Sequence, residues 1–340
     1  MAEAALLAGD EGIDLDSPEL AVLEQRRRRV LRNYWLTVLV LVVAVALIAA
    51  PLVLIAWAGA EPPADAAGSA LRSQLRDSLT PLLPAFALSA FVALLAGLVV
   101  FRQCAWLPKH RYLNDYKAQV FTALCRAHFP TLSYDPNGGI PYAWLDSSGL
   151  FPFNCDVYSS EDLFEGRVGA TDVCFCEATA QRKRPRSLLK RDRDDVYETY
   201  FRGIIFSADF HKHFVSRTRL LPKGVERRSL AGESVAELED PAFAALFDTL
   251  TTDQTDVRYV LSPSLMERFT ALQARFRGLR ALFAGDHLLL LLPSYRNRFE
   301  ASLYEPATSR AQLAAFFADV SACLAIVDAL NLNTRIWSKS

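Results

Sequence analysis

The sequence predicts an α+β protein: an N-terminal two-helix transmembrane hairpin followed by a cytosolic domain whose largely antiparallel sheet is covered by helices. Three observations lead there. Two long windows near the N-terminus carry no charge. Apolar residues alternate with period two through much of 149–221. Apolar stripes at helical spacing dominate the C-terminal third.

The first window, Tyr34 to Ala60, exceeds the roughly 20 apolar residues that a spanning helix needs at 1.5 Å rise. Tyr34, Trp35 and Trp57 lie near its ends, where amphipathic rings prefer the headgroup level. The second window runs from Pro81 to Phe101. Within it Ala85, Ser89, Ala93 and Gly97 recur every fourth residue, which lines one helix face with small side chains fit for close helix packing. The first window is too long, and starts too far in, for a cleaved signal peptide. Neither window offers water a polar face, so a buried helix pair in a soluble fold is the poorer reading.

Arg26, Arg27, Arg28, Arg29 and Arg32 precede the first window and Arg102 follows the second, whereas the 61–80 connection holds only Arg72 and Arg76. Basic residues stay on the cytoplasmic side, so these arginines are topology anchors that place both termini in the cytoplasm. The expected layout is a cytosolic tail (1–33), a hairpin (34–101, with helices 34–60 and 81–101 and external loop 61–80), and a cytosolic domain (102–340). The expected location is a bacterial inner membrane. Neither span holds Asp, Glu, Lys, Arg or His, which argues against a pump or transporter acting alone. A net charge of −1 gives no reason to expect nucleic acid.

In the cytosolic part, Arg111–Phe129 has the spacing of an amphipathic helix (Leu113, Tyr116, Val120, Leu124, His128), set off from the second span by Pro108. Tyr134–Gly139 reads as a turn. The stretches 172–179 and 202–216 read as strands, joined by a charged connection over 181–195. Asp240 and Pro241 open a helix with a Phe243, Leu246, Leu250 stripe. Residues 256–262 read as a short strand, and Ser262-Pro263 opens another helix. His287–Pro293 reads as a buried strand, and 309–330 as a helix covering the sheet through Leu313, Phe316, Phe317, Val320, Leu324 and Val327. The six cysteines form no C-x-x-C pair, and a cytosolic setting keeps them reduced.

An ordered set of segments resembles a bacterial membrane-protein family of unknown function, the one catalogued as domain of unknown function 3137. The segments are SSGLF (147–151), SSEDLFEGRVGATDVCFCEA (159–178), YFRGIIFSADFHKHF (200–214), TDVRYVLSPSLMERF (255–269) and YRNRFEASLY (295–304). The resemblance implies fold and membrane location and transfers no catalytic residue.

The sharpest chemical constellation is Asp209, His211 and His213, which a strand would project to one face as metal ligands. A solvated strand face is the plainer reading. Arg182, Lys183, Arg184 and Arg186 form a basic run that could meet anionic lipid, although a solvated hairpin loop is the plainer reading. Glu161, Asp162 and Glu165 read as a turn before Gly166. Phosphate-binding and nucleophile-elbow motifs are missing, and no cofactor is expected. The leading expectation is a membrane-anchored cytosolic binding or scaffold module, non-catalytic, with membrane lipid and a protein partner around it and no nucleic acid. The rivals are a metal-dependent enzyme using the Asp209 face and an accessory subunit of a membrane complex.

Overall fold

The computed structural model describes residues 18–59, 74, 77, 78, 81, 83–184 and 197–333, the side chains of 51, 52, 54–56, 58, 59, 83 and 211–213 excepted. Two compact units divide the chain. One comprises Leu15–Tyr116 with Ser302–Ser309; the other includes Lys117–Ala301 and Arg310–Ser340.

The first unit is helical. Helix α1 spans Pro18–Gly59 and α2 spans Leu83–Phe101. α1 therefore starts well before the uncharged window. Both helices are long and apolar enough to cross a membrane. Their large apolar side chains, among them Leu39, Leu47, Val53, Leu88, Phe91 and Leu98, stand exposed. The helices approach closely where Gly97 lacks a side chain, since a Cβ there would sit 3.0 Å from Leu41 Cδ2. The Tyr34 and Phe101 rings lie 6.3 Å apart.

Pro108 does not set off a separate helix, contrary to the sequence reading. Helical backbone continues through a π-turn at Arg102–Trp106, closed by Leu107 N–H donating to the Arg102 carbonyl, into α3 (Leu107–Tyr116). The widened turn makes room for a proline ring that lacks an N–H and crowds the preceding carbonyls. The polar ends of these helices are tied together. Glu24 accepts from Arg27 Nε and Arg28 Nε, each at 2.8 Å, and from the Ala307 N–H at 2.9 Å. The Arg27 bond, ahead of the others, holds its carboxyl down at about 2. Arg26 pairs with Asp115 at 2.5 Å, and the Tyr116 hydroxyl donates to the Ala307 carbonyl at 3.0 Å.

The second unit is α+β. A π-turn at Lys117–Phe121 leads into α4 (Thr122–His128), β1 (Leu132–Asp135), α5 (Tyr142–Ser148), β2 (Val157–Val168) and β3 (Thr171–Lys183). After β4 (Tyr197–Pro222) come β5 (Ser234–Val235), α6 (Pro241–Leu246), β6 (Phe247–Thr251), α7 (Asp256–Val260) and α8 (Pro263–Arg275). β7 (Arg280–Pro293) and α9 (Arg310–Ala329) complete the unit. Among the described residues the sheet has seven strands, ordered β1-β2-β3-β4-β6-β5 with β7 on the other edge of β4. Every strand pair is antiparallel. Over that length β4 serves β3 with its first half and β6 with its last residues, while β7 runs along both parts.

One face of the sheet is aromatic. Phe164, Phe175, Phe206 and Leu290 lie in register across four strands and are fully buried. α9 meets this face through Phe316, whose ring lies 6.1 Å from Phe164 and is stacked 4.1 Å from Phe121; Leu313, Val320 and Val327 of α9 are also buried. The opposite face packs Cys176, Ala178, Ile205 and Leu291 under Leu145 of α5 and the Leu150-Phe151 turn.

Three further sequence expectations, all in the α+β unit, need correction. Residues 256–260 are helical, not a strand. Helix α6 stops at Leu246, so Leu250 belongs to a strand paired with β4. Glu161, Asp162 and Glu165 lie within β2, where a bulge between Glu161 and Phe164 takes in Asp162 and Glu165 pairs with Cys174.

Candidate functional site

Two constellations in the α+β unit carry chemistry. The first is an open groove on the α5 face. Glu165, Cys174, Ser207 and Leu289 form one row in register across β2, β3, β4 and β7. The next row holds the Arg167–Asp172 pair of β2 and β3 and the Asp209–His287 pair of β4 and β7. α5 is too short to reach these rows. Its exposed Trp144, with Ser147, forms the rim of a groove of about 780 Å³ that also takes in Leu282 and Ala284.

The groove is mainly apolar with an acidic excess. Arg167 is used up by Asp172, through Nε at 2.6 Å and Nη2 at 2.8 Å. Glu165 stands beside Cys174, whose Sγ lies 3.8 Å from Glu165 Oε1. Burial, then the Glu165 carboxylate, pushes the Cys174 thiol up to about 12, so it is no nucleophile near neutrality. Asp209 Oδ1 is enclosed and has no hydrogen-bond partner among the described residues.

The second constellation is a buried ion cluster on the aromatic face. The bulge places Asp162 at a φ of 58°, a conformation that Asp tolerates better than most residues. Its carboxylate accepts from Lys117 Nζ at 2.8 Å and from the Tyr134 hydroxyl at 2.5 Å. Glu161 and Glu300 each stand 3.9 Å from Lys117 Nζ. Both Lys117 and Asp162 are buried. Burial alone pushes the Lys117 ammonium down, but Asp162, Glu300 and Glu161 outweigh it and the net direction is up. Burial raises Asp162 to about 6 against the pull of Lys117. The two directions disagree over how firmly the pair is ionised. The short contact and the second donor from Tyr134 favour the ion pair. Nearby, Glu177 accepts from the Arg298 N–H at 2.8 Å, and burial raises its carboxyl to about 7. Arg298 also pairs with Asp319 at 2.8 Å.

Asp209 is the one member of the predicted metal triad whose side chain is described; those of His211 and His213 lie outside the described residues. Among the described residues no three His, Cys, Asp or Glu side chains converge as a metal site. In the basic run, Arg182 stacks over the Phe153 ring at 4.0 Å, Arg184 pairs with Glu198 at 3.5 Å, Lys183 ends β3, and Arg186 lies outside the described residues. Of the small-residue stripe, Ala93 and Gly97 are half-buried, while Ala85 and Ser89 are exposed. Sequence reasoning passed over Glu177 and the burial of Lys117, and read Asp162 as part of a turn. The signal for Lys117 was present: it sits at helical spacing between Leu113 and Leu124, a cation on an apolar stripe.

Residues 199–332 match the model of a family described as a protein of unknown function (DUF3137), which bears out the resemblance over β4 to α9. No curated protein matches the chain. One solved structure, of the mycobacterial trehalose monomycolate transport factor A, TtfA, aligns with 63% of this chain and 93% of its own at 10% identity. Its TM-score of 0.30 is too low to carry an argument about fold or function.

Proposed function

We propose, from the premise that residues 199–332 carry a DUF3137 domain, that the protein is a two-pass membrane-anchored module whose cytosolic α+β part binds a partner and catalyses nothing. The observation that carries this reading is the exposed apolar surface of α1 and α2, in which the most apolar window of each helix is 0% buried. Burying a large apolar side chain is worth about 1.5–3 kcal/mol, so a surface of this extent strongly favours lipid over water. The Arg26–Asp115 pair supports the hairpin, because it joins a residue ahead of the first span to one beyond the second. Both termini then face the cytoplasm of a bacterial inner membrane. The run at Arg182–Arg186 supplies a secondary contact to anionic headgroups, and the stripe at Ala85–Gly97 packs against α1 and against partner helices. Alkaline extraction of membranes tests the anchor. The full chain stays in the pellet and leaves it only with detergent; release by alkali alone sinks the reading.

The second reading, a metal site at Asp209, His211 and His213, is favoured by the enclosed and unbonded Asp209 Oδ1. Elemental analysis of the purified chain decides it, and a stoichiometric transition metal would replace the non-catalytic reading.

A further inference from the structure

The enclosed cations of this protein come with an acid. Arg27 pairs with Glu24, Lys117 with Asp162 and Arg298 with Asp319, each at 2.8 Å. Arg219, fully buried, pairs with Glu233. Arg280, the first residue of β7, breaks the pattern. It is half-buried, and no carboxylate among the described residues faces it. Its hydrogen bond to the protein is Nη1 donating to the Leu150 carbonyl at 2.7 Å. Enclosure pulls the guanidinium below its ordinary value, and only Tyr200 opposes that pull. An enclosed charge without a counter-charge is costly, which is why such groups are found paired.

Tyr200 of β4 supplies a second unmet donor. Its hydroxyl is enclosed and has no hydrogen-bond partner among the described residues. Cys155 and Tyr142 face it but are engaged with each other and with backbone. Cys155 Sγ donates to the Val157 carbonyl at 2.8 Å, and the Tyr142 hydroxyl accepts from the Cys155 N–H at 2.8 Å. Phe151 and Phe153 hold the Tyr200 ring edge-on, with centroids 5.1 and 4.7 Å away. Phe153 also carries the exposed Arg182 guanidinium of β3, 4.0 Å from its ring centroid.

The bond to Leu150 leaves the Nε and Nη2 edge of Arg280 free, and that edge can grip two oxygens side by side. A carboxylate has only those two oxygens. A phosphate keeps a third for the Tyr200 hydroxyl. We propose that Arg280 and Tyr200 seat a phosphate group, with Arg182 drawing it in across Phe153. The group belongs to an anionic lipid headgroup or to a free phosphate, since both present the same oxygens. The seat lies within the α+β unit, goes beyond the anchoring reading and stands whether or not α1 and α2 lie in lipid.

The test uses the full chain in a neutral detergent. Phenylglyoxal modifies accessible guanidinium groups, and peptide mass spectrometry reads the rate at Arg280 and at the exposed Arg277. A probe at about ten times its Kd should slow Arg280 about ten-fold against chloride of equal ionic strength, and leave Arg277 unchanged. Slowing by inorganic phosphate supports the proposal and makes free phosphate a source. Slowing by micelles carrying phosphatidylglycerol, without slowing by inorganic phosphate or phosphatidylcholine, supports it and makes the headgroup the source. Tyr200→Phe keeps the ring contacts and removes only the hydroxyl. It should raise the half-protecting concentration about ten-fold, the loss of one hydrogen bond to a charged group. No slowing with any probe, equal slowing by phosphatidylcholine or at Arg277, or undiminished protection in Tyr200→Phe overturns the proposal.

Discussion

At the residue scale the decisive feature is the ion pair of Lys117 and Asp162. Removing one partner of a buried pair leaves the other charged and unsolvated, at a cost of about 3–5 kcal/mol. Lys117→Met is therefore expected to lower the unfolding midpoint strongly in detergent, and adding Asp162→Leu recovers part of the loss. If Lys117→Met unfolds like the parent chain, the pair is not ionised in the native state. Glu177 gives the pH dependence. Its carboxyl rises from 4.5 in the unfolded chain to about 7. A raised pKa means that the folded state holds the proton more tightly. This contribution is therefore full below pH 4.5 and is lost as pH rises to about 7. The lost contribution is about 3 kcal/mol at 1.36 kcal/mol per unit. Glu177→Gln should flatten that decline, and unfolding followed between pH 4.5 and 7.5 checks it. Lys117 was legible in principle, as a cation at Leu113-to-Leu124 spacing. Asp162 was not, because nothing in SSEDLFEGRV marks where a bulge will turn an acid inward.

At the element scale, sequence pattern and local chemistry sometimes disagree, and the structure shows which prevails. DVRYVLS looks β-rich, yet Asp253 Oδ1 accepts from the Thr255 and Asp256 N–H groups at 2.7 and 3.0 Å and seeds a helical turn. Val257, Val260 and Leu261, all buried, then fall at helical spacing. The reverse happens after α6. Phe243, Leu246 and Leu250 suggest a continuing stripe, but Thr249 and Thr251 are β-branched, and pairing with β4 takes over at Phe247. The start of α6 was fully legible. Asp240 Oδ1 accepts from the Ala242 and Phe243 N–H groups at 2.9 and 3.0 Å, ahead of Pro241. Asp240→Ala should cost about 1 kcal/mol. Because α6 leads directly into β6, hydrogen exchange across 241–251 should rise in that variant while β2 and β3 are unaffected. Uniform loosening of the whole sheet would show that the cap is not a local device.

At the scale of the whole molecule, the proposed anchoring makes charge and hydrocarbon together set how the chain lies in a bilayer. On that proposal the apolar stretches of α1 and α2 carry no charged side chain to hold them in water, and the arginines within α1, ahead of its apolar stretch, resist translocation. Those arginines are not loose anchors. Arg26 reaches Asp115, and Arg27 holds Glu24 and donates to the Leu303 carbonyl at 3.0 Å. Moving them across the membrane would break these bonds as well as carry charge through lipid. Orientation and the packing of the helical unit should therefore fail together. A reporter fused after Ser340 should be active only in its cytoplasmic form, and one inserted within 61–80 only in its exported form. Changing Arg26, Arg27, Arg28, Arg29 and Arg32 to Gln while adding two lysines to 61–80 should yield a mixed or inverted population. The same variant should lose protease resistance at Ser302–Ser309, because Glu24 and Arg27 hold that segment. Retained resistance in an inverted chain would separate the clasp from the topology and show that the arginines act through charge alone.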